Sequence, residues 1–119
     1  MLRGHGMEKI VEQGLLYDFY GELLTAHQRK IYEDAVYNDL SPSEIAQEQG
    51  ISRQGIHDLI KRCNGILEGY EKKLHLVEHF NEIKSKVQEM NALAEDETVG
   101  QERLRREIKK LSDEILKAL

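Results

Sequence analysis

Ser41-Pro42-Ser43-Glu44-Ile45-Ala46-Gln47-Glu48-Gln49-Gly50-Ile51-Ser52-Arg53-Gln54-Gly55-Ile56-His57-Asp58-Leu59-Ile60-Lys61-Arg62 is the most informative stretch of this chain. Its first four residues combine an N-cap hydroxyl, a proline at the first helical position and a capping-box glutamate. Gly50 follows nine residues after Ser41, so that helix is short, and Ser52 caps the next one. Residues 42–61 fit a helix-turn-helix. Ala46 is the small residue where the two helices cross closely. Gly50 sits in the tight turn, where a side chain is expected to clash. Ile45, Ile51, Ile56 and Leu59 are placed to lock the pair together. Gln49, just before the turn glycine, is polar where packing favours an apolar residue.

The flanks read as helix almost throughout. Pro42 is the only proline, and apolar/polar alternation of the strand kind is not sustained anywhere. The opening Met1–Gly6 is aperiodic and reads as a frayed tail. A first helix is expected from Met7 to Leu24, with Leu16, Phe19, Tyr20, Leu23 and Leu24 on one stripe. Thr25-Ala26-His27-Gln28 is a capping box that opens a second helix buried through Ile31, Tyr32, Ala35 and Val36. Asn38-Asp39 supplies the break before Ser41.

Beyond Ser52 the apolar residues Ile56, Leu59, Ile60, Cys63, Leu67, Tyr70, Leu74 and Val77 keep helical spacing. From Cys63 to Val77 the steps are 4, 3, 4, 3, a heptad seam. The phase slips near Phe80, which marks a bend or a new helix from Asn81. Residues 91–97 are acidic and weakly patterned, and read as a loop. Thr98-Val99-Gly100-Gln101 matches a third capping box, ahead of a last helix with Leu104, Ile108, Leu111 and Ile115 on one side. That helix is locally basic through Arg103, Arg105, Arg106, Lys109 and Lys110. Such a helix suits RNA, acidic partners or membranes, though a solvated face over a packed seam is the simpler reading. The expected organisation is a tail over 1–6, a helix-turn-helix domain with a long fourth helix over 7–80, and a helical, dimerising extension over 81–119.

Composition narrows the function. The 119 residues carry 39% apolar and 33% charged side chains, enough for one modest core. The net charge of -5 argues against a protein that coats nucleic acid through bulk positive charge, but leaves room for a local basic face. No apolar run approaches the roughly 20 residues of a membrane span. A single cysteine rules out an internal disulfide framework and any multi-cysteine metal site, which points to the cytoplasm.

In a helix-turn-helix, the first turns of the second helix face the major groove. Here that face holds Ser52, Arg53, Gln54 and His57, followed by Lys61 and Arg62. Arginine pairs with guanine O6 and N7, glutamine with adenine N6 and N7, and serine or lysine with phosphate. Three cations against Asp58 leave residues 52–62 at a net charge of +2. DNA, RNA and protein all remain candidate ligands for such a modest face.

Leu23-Leu24-Thr25, Gln28, Ser43-Glu44-Ile45-Ala46, Ser52-Arg53-Gln54, Asp58, Ile60-Lys61-Arg62, Leu67-Glu68 and Tyr70-Glu71-Lys72-Lys73-Leu74 occur in an order that resembles the YlxM family of small bacterial helix-turn-helix proteins. The resemblance covers about residues 15–80. It implies an all-helical cytoplasmic protein, similar to region 4 of the sigma factors and without enzymatic activity. It also implies an association with the signal recognition particle pathway. Gly55 stands where the family commonly has alanine, His57 where it has an aromatic residue, and Gln49 where it has an apolar one.

Other chemistry finds little support. His75 and His79 are four apart, a possible two-ligand clip, but no third ligand with a supporting motif accompanies them. Cys63 falls in the apolar seam, where a thiol acts as a small hydrophobe. Tyr17, Phe19, Tyr20 and Tyr32 fall on helix stripes and read as core rather than as a base-stacking platform. No cofactor, metal or catalytic constellation is expected. The sequence therefore predicts an all-α protein with a tri-helical helix-turn-helix core, a long helix and a C-terminal amphipathic helix. It is expected to form a homodimer through residues 63–116 and to bind duplex DNA or signal recognition particle RNA, or the particle's GTPase. The alternative is a dimeric transcription regulator that reads the major groove with helix 52–62.

Overall fold

In a computed structural model of the chain, residues 2–119 are described, with side chains from Val11 onward. All regular structure among these residues is helical, and the chain divides into two units, Met1–Leu74 and His75–Leu119. The first contains α1 (Leu2–Tyr20), a 3-10 turn (Gly21–Leu23), α2 (Ala26–Val36), α3 (Pro42–Gln49) and α4 (Arg53–Leu74). The second contains α5 (Leu76–Glu95) and α6 (Gln101–Ala118). The tail expected over residues 1–6 is instead helical from Leu2, so α1 begins ahead of the expected Met7.

Local signals set the element boundaries in the first unit. Helix α1 stops at Tyr20, short of the expected Leu24, because Thr25 must be extended (φ -67°, ψ 160°) to cap α2. The intervening turn passes tightly through Gly21, where a Cβ would come within 2.8 Å of the Tyr17 ring. Thr25 Oγ1 accepts from the Gln28 amide and Gln28 Oε1 from the Thr25 amide, a complete capping box. Ser41 and Glu44 repeat the arrangement at the start of α3. Asp39 takes the left-handed backbone (φ 54°) of the α2–α3 break, a region that aspartate tolerates well.

Gly50 ends α3 with φ 66°, and both its amide and that of Ile51 donate to Ala46 O. The expected steric reason for this glycine is corrected: a Cβ there would meet nothing within 4 Å. Glycine is required by the left-handed backbone itself, which costs other residues roughly 1–2 kcal/mol.

Ile31, Ile45 and Ile56 are fully buried, one each from α2, α3 and α4. Ala35, Leu40, Ala46, Ile51, Leu59 and Ile60 close around them, so every residue assigned to the helix lock lies in or against this core. Toward α1, the buried apolar side chains are Leu16, Tyr20, Leu24, Tyr32, Cys63 and Leu67. Leu23 and Phe19 of the expected first stripe stay 56% and 39% exposed. Tyr32 Oη donates to Asn64 Oδ1 at 2.6 Å and Tyr20 Oη to Glu71 Oε1 at 2.6 Å, which ties α2 and α1 to α4.

The long fourth helix differs from expectation. His75 adopts φ 57°, so α4 ends at Leu74 and Val77 belongs to the next helix. The break thus falls at His75 rather than near Phe80, and the unit boundary at Leu74 rather than after residue 80. Histidine is among the residues enriched in this left-handed region, yet no glycine or proline advertises the break.

In the second unit α5 packs against α6, with Leu111 buried and Leu104, Ile108 and Ile115 partly so. Lys86 Nζ lies 2.7 Å from Glu114 Oε2 and pins the two helices. That bond draws the Glu114 carboxyl below its ordinary value and raises the Lys86 ammonium above its own. Helix α5 persists to Glu95, so Asn91–Glu95 is helical rather than loop. The third capping box does not form. Thr98 donates both its amide and its hydroxyl to Asp96 Oδ1, at 2.9 and 2.6 Å, and Gly100 becomes the N-cap of α6 with no side-chain bond. A threonine already held by the preceding aspartate has no hydroxyl free for the helix start.

Candidate nucleic-acid interface

The start of α4 is built from its cap outward. Ser52 Oγ accepts the Gly55 amide at 3.0 Å, while Ile51 and Ile56 anchor the first turn in the isoleucine core. Gly55 has a local cause, since a Cβ there would lie 2.7 Å from Ile51 Cγ2 and 3.1 Å from Ser52 Oγ. The reading helix thus forgoes a methyl group so that Ile51 can reach the core.

Ser52, Arg53, Gln54, His57, Lys61 and Arg62 are all exposed. With 3.6 residues per turn, Arg53, His57 and Lys61 form one i, i+4 row and Gln54, Asp58 and Arg62 the row beside it. Ile56, Leu59, Ile60, Cys63 and Leu67 occupy the opposite side of the helix, which fixes this face toward solvent. Arg53 and Arg62 stand at its two margins, about half a rotation apart.

Gln54 is not idle: its Nε2 donates to Asp58 Oδ1 at 3.0 Å. The pair was legible as an i, i+4 glutamine–aspartate spacing and was missed. It orients Gln54 and places the face's one carboxylate between the cations. Among the described residues, Arg53, Lys61 and Arg62 have no ion-pair partner. Arg53 stands at the positive end of the α4 backbone, and with Lys61 and Arg62 about two turns further along it forms an anion-attracting face. Half-buried Gln49 lies outside it, at the end of α3.

The remaining candidates resolve simply. Cys63 is fully buried, and that burial pushes its thiol up against the weaker opposing pull of Arg62. It is a core residue and a poor nucleophile. Tyr20 and Tyr32 are buried, and Tyr17 stacks on Tyr32 with ring centroids 5.4 Å apart, so these rings are occupied in packing. His75 precedes α5 in a left-handed conformation with Nδ1 2.9 Å from Glu78 Oε2. His75 and His79 are therefore not the one-face helical pair that their spacing proposed. No helix of the described residues is long and apolar enough to cross a membrane.

Comparison with known proteins agrees with this architecture. Residues 7–112 match the family model described as "Putative helix-turn-helix protein, YlxM / p13 like". A UPF0122 protein of Caldanaerobacter subterraneus subsp. tengcongensis is 49% identical over 76 residues, 64% of this chain and 65% of that protein. One from Thermoanaerobacter sp. is 51% identical over 73 residues, 61% of this chain and 62% of its own length. The chain thus spans slightly less than two thirds of these two relatives. A UPF0122 protein of Bacillus cereus is 41% identical over 97 residues, covering 81% of this chain and 88% of its own. The tri-helical core, the glycine turn and the match over most of its length together place the chain in the UPF0122 family of YlxM/p13-like helix-turn-helix proteins.

Proposed function

We propose that this chain is a non-catalytic regulatory protein of the signal recognition particle pathway in the cytoplasm, which docks the face of α4 onto a phosphate-rich surface. The observation that carries the reading is the exposed set of Arg53, Lys61 and Arg62 without ion-pair partners, beside Ser52 and Gln54, on a helix locked by the isoleucine core. Family membership supports the pathway assignment through the association that the YlxM resemblance implies. The particle RNA is the favoured ligand, and its GTPase the protein alternative. Three cations give few phosphate contacts, so binding is modest and falls with salt.

The second unit favours a homodimer. Among its described residues only Val77 and Leu111 are buried apolar side chains, while Val87, Leu116 and Leu119 are 42%, 67% and 83% exposed. A two-helix hairpin covers one side of each apolar stripe, and a second copy would cover the remainder. Light scattering at micromolar concentration should give twice the 13.8 kDa chain mass, and a monomer would overturn this point.

Dimerisation also sustains the second reading, a transcription regulator that inserts α4 into successive major grooves. Fluorescence-anisotropy titration against labelled particle RNA, random duplex DNA and the GTPase, over one salt series, separates the two. Preference for the RNA or the GTPase supports the pathway reading. Preference for one DNA sequence over others at fixed salt supports the regulator.

A further inference from the structure

A second positive surface lies in the other unit. The first half of α6, residues 101–110, holds Arg103, Arg105, Arg106, Lys109 and Lys110 against Glu102 and Glu107, a local charge of +3 in a chain of net charge -5. All five cations are exposed, and among the described residues none of the three arginines has an ion-pair partner. Lys109 forms a close ion pair with Asp113 at 2.9 Å, while Arg103 and Lys110 act at longer range on Asp96 and Glu114. Arg105, Arg106 and Lys109 lie together with Glu102 on the open outer surface of α6. The helix starts at Gly100 without a side-chain cap, so the positive end of its backbone adds to the same field.

We propose that this face is a second contact for the phosphodiester backbone of a nucleic acid, made by the C-terminal hairpin independently of α4. Guanidinium groups supply planar, bidentate donors that suit phosphate, and three of the five cations are arginine. The i, i+4 pairs Arg105–Lys109 and Arg106–Lys110 are about 6 Å apart along the helix axis, which lets successive cations follow a strand. The competing partner, an anionic membrane surface, needs an apolar face to bury. Alongside the cations of α6 that face is mostly occupied, since Leu111 is buried and Leu104, Ile108 and Ile115 are partly so in packing against α5, and the exposed Leu116 and Leu119 lie beyond the basic half. Glu102 sits among the cations as an internal competitor for the phosphate.

The proposal rests on the nucleic-acid reading of α4 but is tested apart from it. The intact chain and three variants, R105A/R106A, R53A/K61A and Glu102→Gln, are titrated over a salt series. The probes are a short RNA duplex, the DNA duplex of the same sequence, and vesicles of anionic phospholipid. All substitutions are at exposed positions, and far-UV circular dichroism confirms the fold. R105A/R106A should lower the slope of log affinity against log salt by about two, near 0.9 per lost phosphate contact. Glu102→Gln should tighten duplex binding at fixed salt by about twofold or more, while the same change at Glu22 in the first unit should not. The duplex with the larger effect identifies the nucleic acid. An unchanged slope for R105A/R106A with a reduced one for R53A/K61A overturns the α6 contact and leaves α4 standing. The converse overturns α4 and leaves this contact standing. Tighter binding to vesicles than to either duplex overturns it in favour of a membrane.

Discussion

Gly55→Ala tests the account of how α4 is seated. Helix propensity alone predicts a gain of up to about 1 kcal/mol from this change. The structure predicts a loss. The new Cβ would lie 2.7 Å from Ile51 Cγ2, a contact that real Cβ atoms essentially never make. Cγ2 is fixed to the branched Cβ of isoleucine, so it moves only if χ1 turns, and χ1 is stiff. Turning it drags the whole side chain away from Ile31, Ile45 and Ile56. Overpacking of this kind costs about 1–3 kcal/mol, which leaves a net destabilisation on the order of 1 kcal/mol after the propensity gain. For a chain of this size that lowers Tm by roughly 4 °C. Urea and thermal unfolding followed by circular dichroism read the change directly. Ile51→Leu removes the second γ carbon, so the Gly55→Ala penalty should shrink in the Ile51→Leu background. That coupling is measured by a double-mutant cycle. A Gly55→Ala variant about 1 kcal/mol more stable than the parent would refute the reasoning and show that Ile51 yields freely.

Ile45→Ala removes a fully buried side chain at the α3–α4 crossing and should cost about 2–5 kcal/mol in urea unfolding, with loss of nucleic-acid binding as the reading helix comes free. Ser41→Ala breaks one half of a capping box and should cost about 0.5–2 kcal/mol. Burial, with the Asp18 hydrogen bond, pushes the Tyr37 phenol up to about 12, and burial also raises Tyr17 and Tyr32. A raised folded pKa means that the unfolded chain loses its phenolic protons first. Stability should therefore hold below about pH 10 and fall as pH rises toward the folded values, as read by phenolate absorbance alongside circular dichroism. Cys63 should resist a thiol-specific reagent in the native protein and react at once in denaturant.

The helix-turn-helix was legible because its signals are local and redundant. Ser41, Pro42, Glu44 and Gly50 each state a backbone requirement, and Ile45 and Ile56 state the buried face. The residues of the α4 face were legible for the same reason, since a helix of known phase fixes which side chains point out. What escaped was whatever depends on competition between neighbours. Thr98 satisfies a capping-box pattern, but Asp96 reaches its hydroxyl first. Gly55 looks like a flaw in a helix until Ile51 is seen beside it. His75 breaks an unbroken heptad pattern through its backbone alone, and neither composition nor spacing records a φ of 57°. Between Asn91 and Glu97 the one large apolar residue is Leu93, yet α5 continues through this stretch to Glu95. Helix propensity is high for alanine, leucine and glutamate there, and the apolar pattern was the weaker guide.

The most direct test of the central claim is the salt dependence of nucleic-acid binding by R53A/K61A beside the parent chain, on labelled signal recognition particle RNA. Both side chains are exposed and outside the core, so the fold survives their loss. If α4 docks through these cations, the variant's slope of log affinity against log salt is shallower by close to two, and its affinity at low salt is reduced. A variant that binds as the parent does, with the same slope, contradicts the account and removes the helix-turn-helix from the contact.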